Sequence, residues 1–160
     1  MIKTRIDKGK VARGGASQRK FPSKGATWIH ENKLDIGRCI DYGCGYGLDA
    51  KTYNWEFFDP YYHPVKLNGL FDTIICTNVL SAVSKLNRCE IIDSIKTLLK
   101  DDGNAYLIVP RNIPIQGKYS GYNRRPQYHV VLTLESIHSD DSIEIYKMNK
   151  NTEYEDKTND

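Results

Sequence analysis

The sequence predicts an α/β fold, with a mostly parallel sheet, a C-terminal antiparallel hairpin and a shortened first crossover helix. Three observations carry this expectation. Short apolar strand-like runs alternate with helical patterns, as crossover units require. A glycine cluster, Gly43-Cys44-Gly45-Tyr46-Gly47, follows the first such run, and two further strand-like runs near the C-terminus are joined by a short turn. The 160 residues suit one domain, and 39% hydrophobic with 27% charged residues supports a core.

Residues 1 to 22 read as a basic, partly flexible arm, since Gly14, Gly15, Ser17 and Pro22 break any periodicity. From Ser23 the run SKGATWIHENKL is helical, with Ser23 as cap and Trp28, Ile29 and Leu34 on one face. Arg38 to Tyr42 is a buried strand that runs into the glycine cluster. Trp55 to Phe58 is the second strand, closed by Asp59-Pro60, and Thr73 to Thr77 the third, after a turn at Asn68-Gly69. Pro60 and Pro64 bracket Tyr61, Tyr62 and His63 and place these aromatics on a loop.

Lys85 to Lys100 sets Leu86, Ile91, Ile92, Ile95, Leu98 and Leu99 on a helical stripe, with Gly103 as the expected stop. Ala105 to Val109 is a continuous apolar strand ended by Pro110. Tyr128 to Leu134 and Ile143 to Met148 form the antiparallel pair around Ser139-Asp140-Asp141. The domain is thus expected over residues 23 to 149, and residues 150 to 160 as a polar, frayed tail.

The charge is uneven. Residues 1 to 24 hold eight lysines and arginines against Asp7, a local +7; the whole chain carries +3, so the remainder sums to −4. Such an arm attracts polyanions or is a solvated terminus. No window approaches the ~20 apolar residues of a membrane span, so no membrane association and a cytoplasmic location are expected. Cys39, Cys44, Cys76 and Cys89 form no CxxC pair, and His30, His63, His129 and His138 are scattered, so no metal site is assigned.

The glycine cluster carries the chemistry. A loop at the carboxyl end of a parallel strand needs glycine to turn tightly and approach a ligand, and an acid at the end of the next strand can accept from both hydroxyls of a ribose. Asp59 is that acid, sixteen positions after Gly43. No third glycine completes GxGxxG and no Walker pattern occurs, which disfavours phosphate binding. A glycine cluster alone also fits a structural turn; cluster, spaced acid and strand order together favour the ligand loop.

Asp41-Tyr42-Gly43-Cys44-Gly45-Tyr46-Gly47 resembles motif I of the class I S-adenosylmethionine-dependent methyltransferases, in the form D-x-G-C-G-x-G. Asp59-Pro60-Tyr61-Tyr62 and Asn78-Val79-Leu80 follow in order, as in short methyltransferase-like proteins of bacteria and phages, and the likeness spans roughly residues 24 to 148. The resemblance implies a Rossmann-like fold and S-adenosylmethionine as cofactor. It assigns Gly43 and Gly45 to the methionine part and Asp41 to the loop anchor or the amino group. Asp59 goes to the ribose, with Thr77 and Asn78 beside the sulfonium. Tyr61 becomes an adenine neighbour, with Tyr42 and Pro60 completing the set.

It further implies direct methyl transfer, because neither the Asn-Pro-Pro type of motif nor a Pro-Cys nucleophile is present. No catalytic residue is assigned. Residues 111 to 128 carry Arg111, Lys118, Arg124 and Arg125 with Tyr119, Tyr122 and Tyr128 and no acid. On a loop beside the pocket, Lys118, Tyr119, Tyr122, Arg124 and Arg125 are candidates to hold phosphates and stack a base, against the alternative of an ordinary solvated loop. Nucleic acid, reached through residues 1 to 24 and this loop, is the expected partner. The competing function is a degenerate fold that sequesters or cleaves the cofactor, as in phage anti-restriction. Only seven residues, Leu48 to Asn54, separate the last loop glycine from the second strand, against the ~10 a crossover generally needs. The first helix is therefore very short or replaced, and the pocket is open or covered by the arm or by a second subunit of a homo-oligomer.

Overall fold

Six strands in the order β2-β1-β3-β4-β8-β7 form the central sheet of the computed structural model, which describes residues 16–120 and 124–160. β1 (Cys39–Tyr42) pairs in parallel with β2 (Glu56–Phe58) and β3 (Phe71–Thr77), and β3 with β4 (Leu99–Pro110). β8 (Ile143–Met148) and β7 (Glu135–Ser139) complete it antiparallel. The α/β expectation thus holds, including the hairpin at the far edge.

α1 (Lys24–Glu31) begins where Ser23 caps it, the Ser23 hydroxyl accepting from the Ala26 N–H. α1 and α2 (Leu48–Tyr53) cover one face of the sheet, where Ala26, Ile29 and Ala50 meet Ile75, Tyr106 and Ile108. α3 (Lys85–Leu98) covers the other through Ile91, Ile92 and Ile95. The first crossover helix is six residues long, as the short spacing required. The return from β2 to β3 contains no helix, with Asp59 and His63 bridged across a turn. No helix among the described residues is long and apolar enough to cross a membrane.

Four expectations need correction. Gly103 does not stop α3: the chain turns into β4 at Leu99, and Gly103 lies inside β4 at a register irregularity. There a Cβ would come within 2.9 Å of the Phe71 carbonyl oxygen. Leu86, placed on the apolar stripe, is 69% exposed. The first strand of the hairpin is Glu135–Ser139, not Tyr128 to Leu134. The latter segment is extended, with Val130, Leu132 and Leu134 buried, but its backbone pairs with the C-terminal tail.

That tail is polar but not frayed. Arg88, fully buried, donates to Asp156 and Asp160 and to the Val83 carbonyl. Of the arm, residues 1–15 lie outside the described residues. Residues 16–20 run along the site, with Arg19 paired to Asp49 at 3.0 Å.

Candidate functional site

The carboxyl ends of β1, β2 and β3 open into one cavity of about 750 Å³. Its floor is the glycine loop. Gly43, Gly45 and Gly47 all have positive φ, which glycine adopts without strain. The Gly43 and Cys44 N–H groups both donate to the Phe58 carbonyl, so β2 pins the loop. At Gly43 a side chain would collide with the Val79 methyl across the cavity. Asn78 takes a left-handed turn (φ 57°), and its N–H donates to the Ile108 carbonyl.

The structure brings most of the expected residues together. Asp41, Tyr42, Gly43 and Gly45 line the cavity from β1 and its loop, Asp59 and Pro60 from beyond β2, and Thr77 and Asn78 from beyond β3. Tyr42 also packs into the core against Phe58. Tyr61 is not in the lining: it is 48% exposed, and Tyr62 takes that place, its ring against Tyr46. Asp59 is a loop clamp as well as a pocket acid. One of its oxygens accepts from the Gly45 N–H at 2.9 Å, the other from the N–H groups of Tyr61 and Tyr62. A carboxylate has about four lone-pair sites, so one remains for a ligand hydroxyl.

Two buried oxygens in the lining have no partner, Asp41 Oδ1 and Thr77 Oγ1. Asp41 pairs with Ile75, so it and Thr77 share one face of the sheet. Burial, with repulsion from Asp49 and Asp59, raises the Asp41 carboxyl to about 8, while Arg19 pulls it down. Burial also pushes the Cys44 thiol up to about 12 and raises that of Cys76. Both therefore stay protonated, which fits packing and not nucleophilic attack.

Of the alternatives the short crossover left open, the structure shows cover by the arm, through residues 16–20; sequence reasoning missed its anchor, Asp49. Buried in the first turn of α2, Asp49 accepts from Arg19, from the Ser23 N–H at 2.7 Å and from the Ser23 hydroxyl at 2.7 Å. No local pattern marks a contact that spans 30 positions.

Lys118 and Tyr119 lie on β5 (Lys118–Tyr119), which pairs with β6 (Pro126–Gln127); Arg124 and Arg125 precede β6, and Tyr122 lies outside the described residues. None of the four described candidates lines the cavity. The hairpin is rooted beside it, where the Tyr128 N–H donates to the Ser81 carbonyl, next to the lining residue Ala82. Arg111 is held by Glu144 and the Tyr146 hydroxyl.

A methyltransferase-domain family model matches residues 16–143, from the cavity wall to the start of β8. The chain belongs to this methyltransferase family. Its fold resembles that of 1,6-didemethyltoxoflavin-N1-methyltransferase from Burkholderia thailandensis. That match has 13% identity, a TM-score of 0.55, and covers 76% of this chain and 74% of that one. It also resembles the PH0226 protein from Pyrococcus horikoshii OT3, with 12% identity and a TM-score of 0.50 over 77% of this chain and 86% of that one. No curated protein sequence matches. The cofactor of this methyltransferase is S-adenosylmethionine, and the cavity fits it. The glycine loop admits close approach, the unpartnered oxygens of Asp41 and Thr77 await donors, and Asp59 retains one acceptor site.

Proposed function

We propose that this methyltransferase transfers a methyl group by direct displacement to a nucleophile on a nucleic acid. The bound cofactor supplies an electrophilic methyl on a sulfonium. With that methyl in place, an acceptor lone pair would form the new bond to carbon, the carbon–sulfur electrons staying on sulfur and the acceptor proton passing to water. The chain's own part is proximity and alignment. The glycine loop and Asp59 fix one end of the cavity, and Asn78, turned by its left-handed backbone, forms the edge where an acceptor enters.

The observation behind the nucleic acid reading is the basic hairpin rooted beside the cavity. Lys118, Arg124 and Arg125 stand on an acid-free segment from 111 to 128, and Tyr119 is 69% exposed. Cations that hold phosphates beside an aromatic face suit single-stranded or splayed nucleic acid. Lys20, on the described end of the arm, adds to the same charge.

The test is incubation with methyl-labelled S-adenosylmethionine and separate DNA, RNA and protein pools. Label in a nucleic acid pool is expected. Label in protein alone overturns the acceptor class; bound cofactor with no transfer, or cofactor cleaved without acceptor, overturns methyl transfer in favour of sequestration or cleavage.

A further inference from the structure

Among the described residues Arg88, in the first turn of α3, is the one buried cation, at 0% exposure. Its fork joins segments that lie far apart in the sequence. Nη1 donates to the Val83 carbonyl at 2.7 Å, Nε to Asp156 at 2.7 Å, and Nη2 to both carboxylate oxygens of Asp160 at 2.8 Å. The guanidinium also lies 5.2 Å from the centre of the Tyr128 ring. Val83 closes the short 3-10 turn Leu80–Ala82, whose Ala82 lines the cavity together with Asn78 and Val79. Tyr128 is the root of the basic hairpin, and its N–H donates to the Ser81 carbonyl of that same turn at 2.8 Å. His129 beside it donates from Nδ1 to the Ile113 carbonyl at 2.7 Å, which ties the two legs of the hairpin segment together.

Stability is a poor reason for such a cluster. A buried ion pair seldom outdoes apolar residues of similar volume, because taking the charges out of water offsets most of their attraction. Geometry is the better reason: a guanidinium is planar and its donors leave in fixed directions, so it holds its partners at one spacing, as a lysine point charge does not. The partners here are the cavity edge, the hairpin root and the C-terminal tail. The tail in turn pairs with the backbone directly after the hairpin, where the Lys157 N–H donates to the Val131 carbonyl and the Thr133 N–H to the Glu155 carbonyl.

We propose that Arg88 is a positioning residue for the methyl acceptor, and that it acts by locking the cavity edge at 80–83 and the root of the basic hairpin into one rigid frame. The proposal rests on the reading of the hairpin as the surface that holds a nucleic acid. Arg88 itself is outside the cavity lining. An acceptor whose phosphates lie on the hairpin while its nucleophile enters at Asn78 is held at two points. Two points on one frame bind it better than two that move independently, because the second contact is then made at a high effective concentration.

The test is Arg88→Lys in the full chain, which keeps a cation beside Asp156 and Asp160 and loses the fork. Amide exchange at Tyr128 should quicken by about tenfold or more, as loss of a hydrogen bond from a charged group implies, while Ile75 and Leu107 in the sheet exchange as in wild type. With the nucleic acid pool that takes label, KM should rise by about tenfold, while kcat and the affinity for S-adenosylmethionine stay within about threefold. Unfolding alone gives the opposite split: fewer cofactor sites, a lower kcat and an unchanged KM. Exchange at Tyr128 that does not quicken, or that quickens equally at Ile75 and Leu107, overturns the proposal and leaves the acceptor reading standing, and so does an unchanged KM. No label in nucleic acid with the wild type overturns that reading and the proposal with it. Should Arg88→Lys not fold, Tyr128→Leu, which removes the ring and keeps every ion pair of Arg88, is read by the same outcomes.

Discussion

Substitution of Gly43 by alanine tests how the two walls of the cavity depend on each other. Gly43 sits at φ 86°, where an L side chain costs about 1–2 kcal/mol of backbone strain. The new Cβ would also overlap the Val79 methyl, and overpacking of this kind costs about 1–3 kcal/mol. Gly43→Ala should therefore destabilise by about 2–5 kcal/mol and weaken cofactor binding, since relief of the overlap pushes the β1 loop and the turn after β3 apart. Val79→Ala removes the offending methyl and leaves the Val79 Cβ at 3.6 Å, an ordinary contact. In the double variant only the backbone strain remains, so it should be about 1–3 kcal/mol more stable than the sum of the single losses predicts. Urea denaturation and calorimetric titration of all four proteins provide the measurement. Losses that add to within about 0.5 kcal/mol would refute the collision as the reason for glycine at this position.

Arg88→Ala should cost about 3–5 kcal/mol, because it strands the carboxylates of Asp156 and Asp160; a loss under about 1 kcal/mol in urea denaturation would count against the buried cluster. Burial pushes the Asp156 carboxyl up, but hydrogen bonds from Thr158 and Arg88 more than offset this and hold it below 3.8. Its contribution to stability is thus complete above that value and is lost as pH falls below it, which acid titration followed by tail-specific hydrogen exchange should show. Asp49→Ala should speed amide exchange at Ser23 and lower cofactor affinity, as three hydrogen bonds to the N-terminal wall go; unchanged exchange would remove Asp49 as the anchor. Replacing Lys118, Arg124 and Arg125 together by alanine should lower the salt slope of nucleic acid binding by up to about three, and an unchanged slope would exclude the hairpin.

The sequence made some elements legible because their signals are local. Ser23 capped α1, the apolar run found β4, and Ile143 to Met148 was placed to the residue. The expected strand over Tyr128 to Leu134 is extended backbone, but a strand pattern does not say what that backbone pairs with, and here it is the tail. Gly103 looked like a helix stop because glycine often is one; its actual role, room for the Phe71 and Asp72 carbonyls, depends on a neighbouring strand. In the site, the glycines and Asp59 were visible by spacing. Arg19 and Asp49 were not, because nothing local distinguishes an ion-paired arginine 30 positions away from a solvated one.

The hidden pair explains how so short a crossover still encloses a cavity. A six-residue helix and a helix-free return leave the loop after β1 without the usual cover on that side, and the N-terminal segment supplies it. This wall is held by polar links to one buried carboxylate; Phe21, its one large apolar residue, is 78% exposed. Segments attached this way open at low free-energy cost. The same segment carries Arg19 and Lys20, so a polyanion that draws Arg19 off Asp49 acts on the cofactor wall. By linkage, the cofactor must then weaken polyanion binding by the same factor that the polyanion weakens cofactor binding. A factor clearly above one, measured in the same salt, marks a shared wall; a factor of one in both directions marks two independent sites.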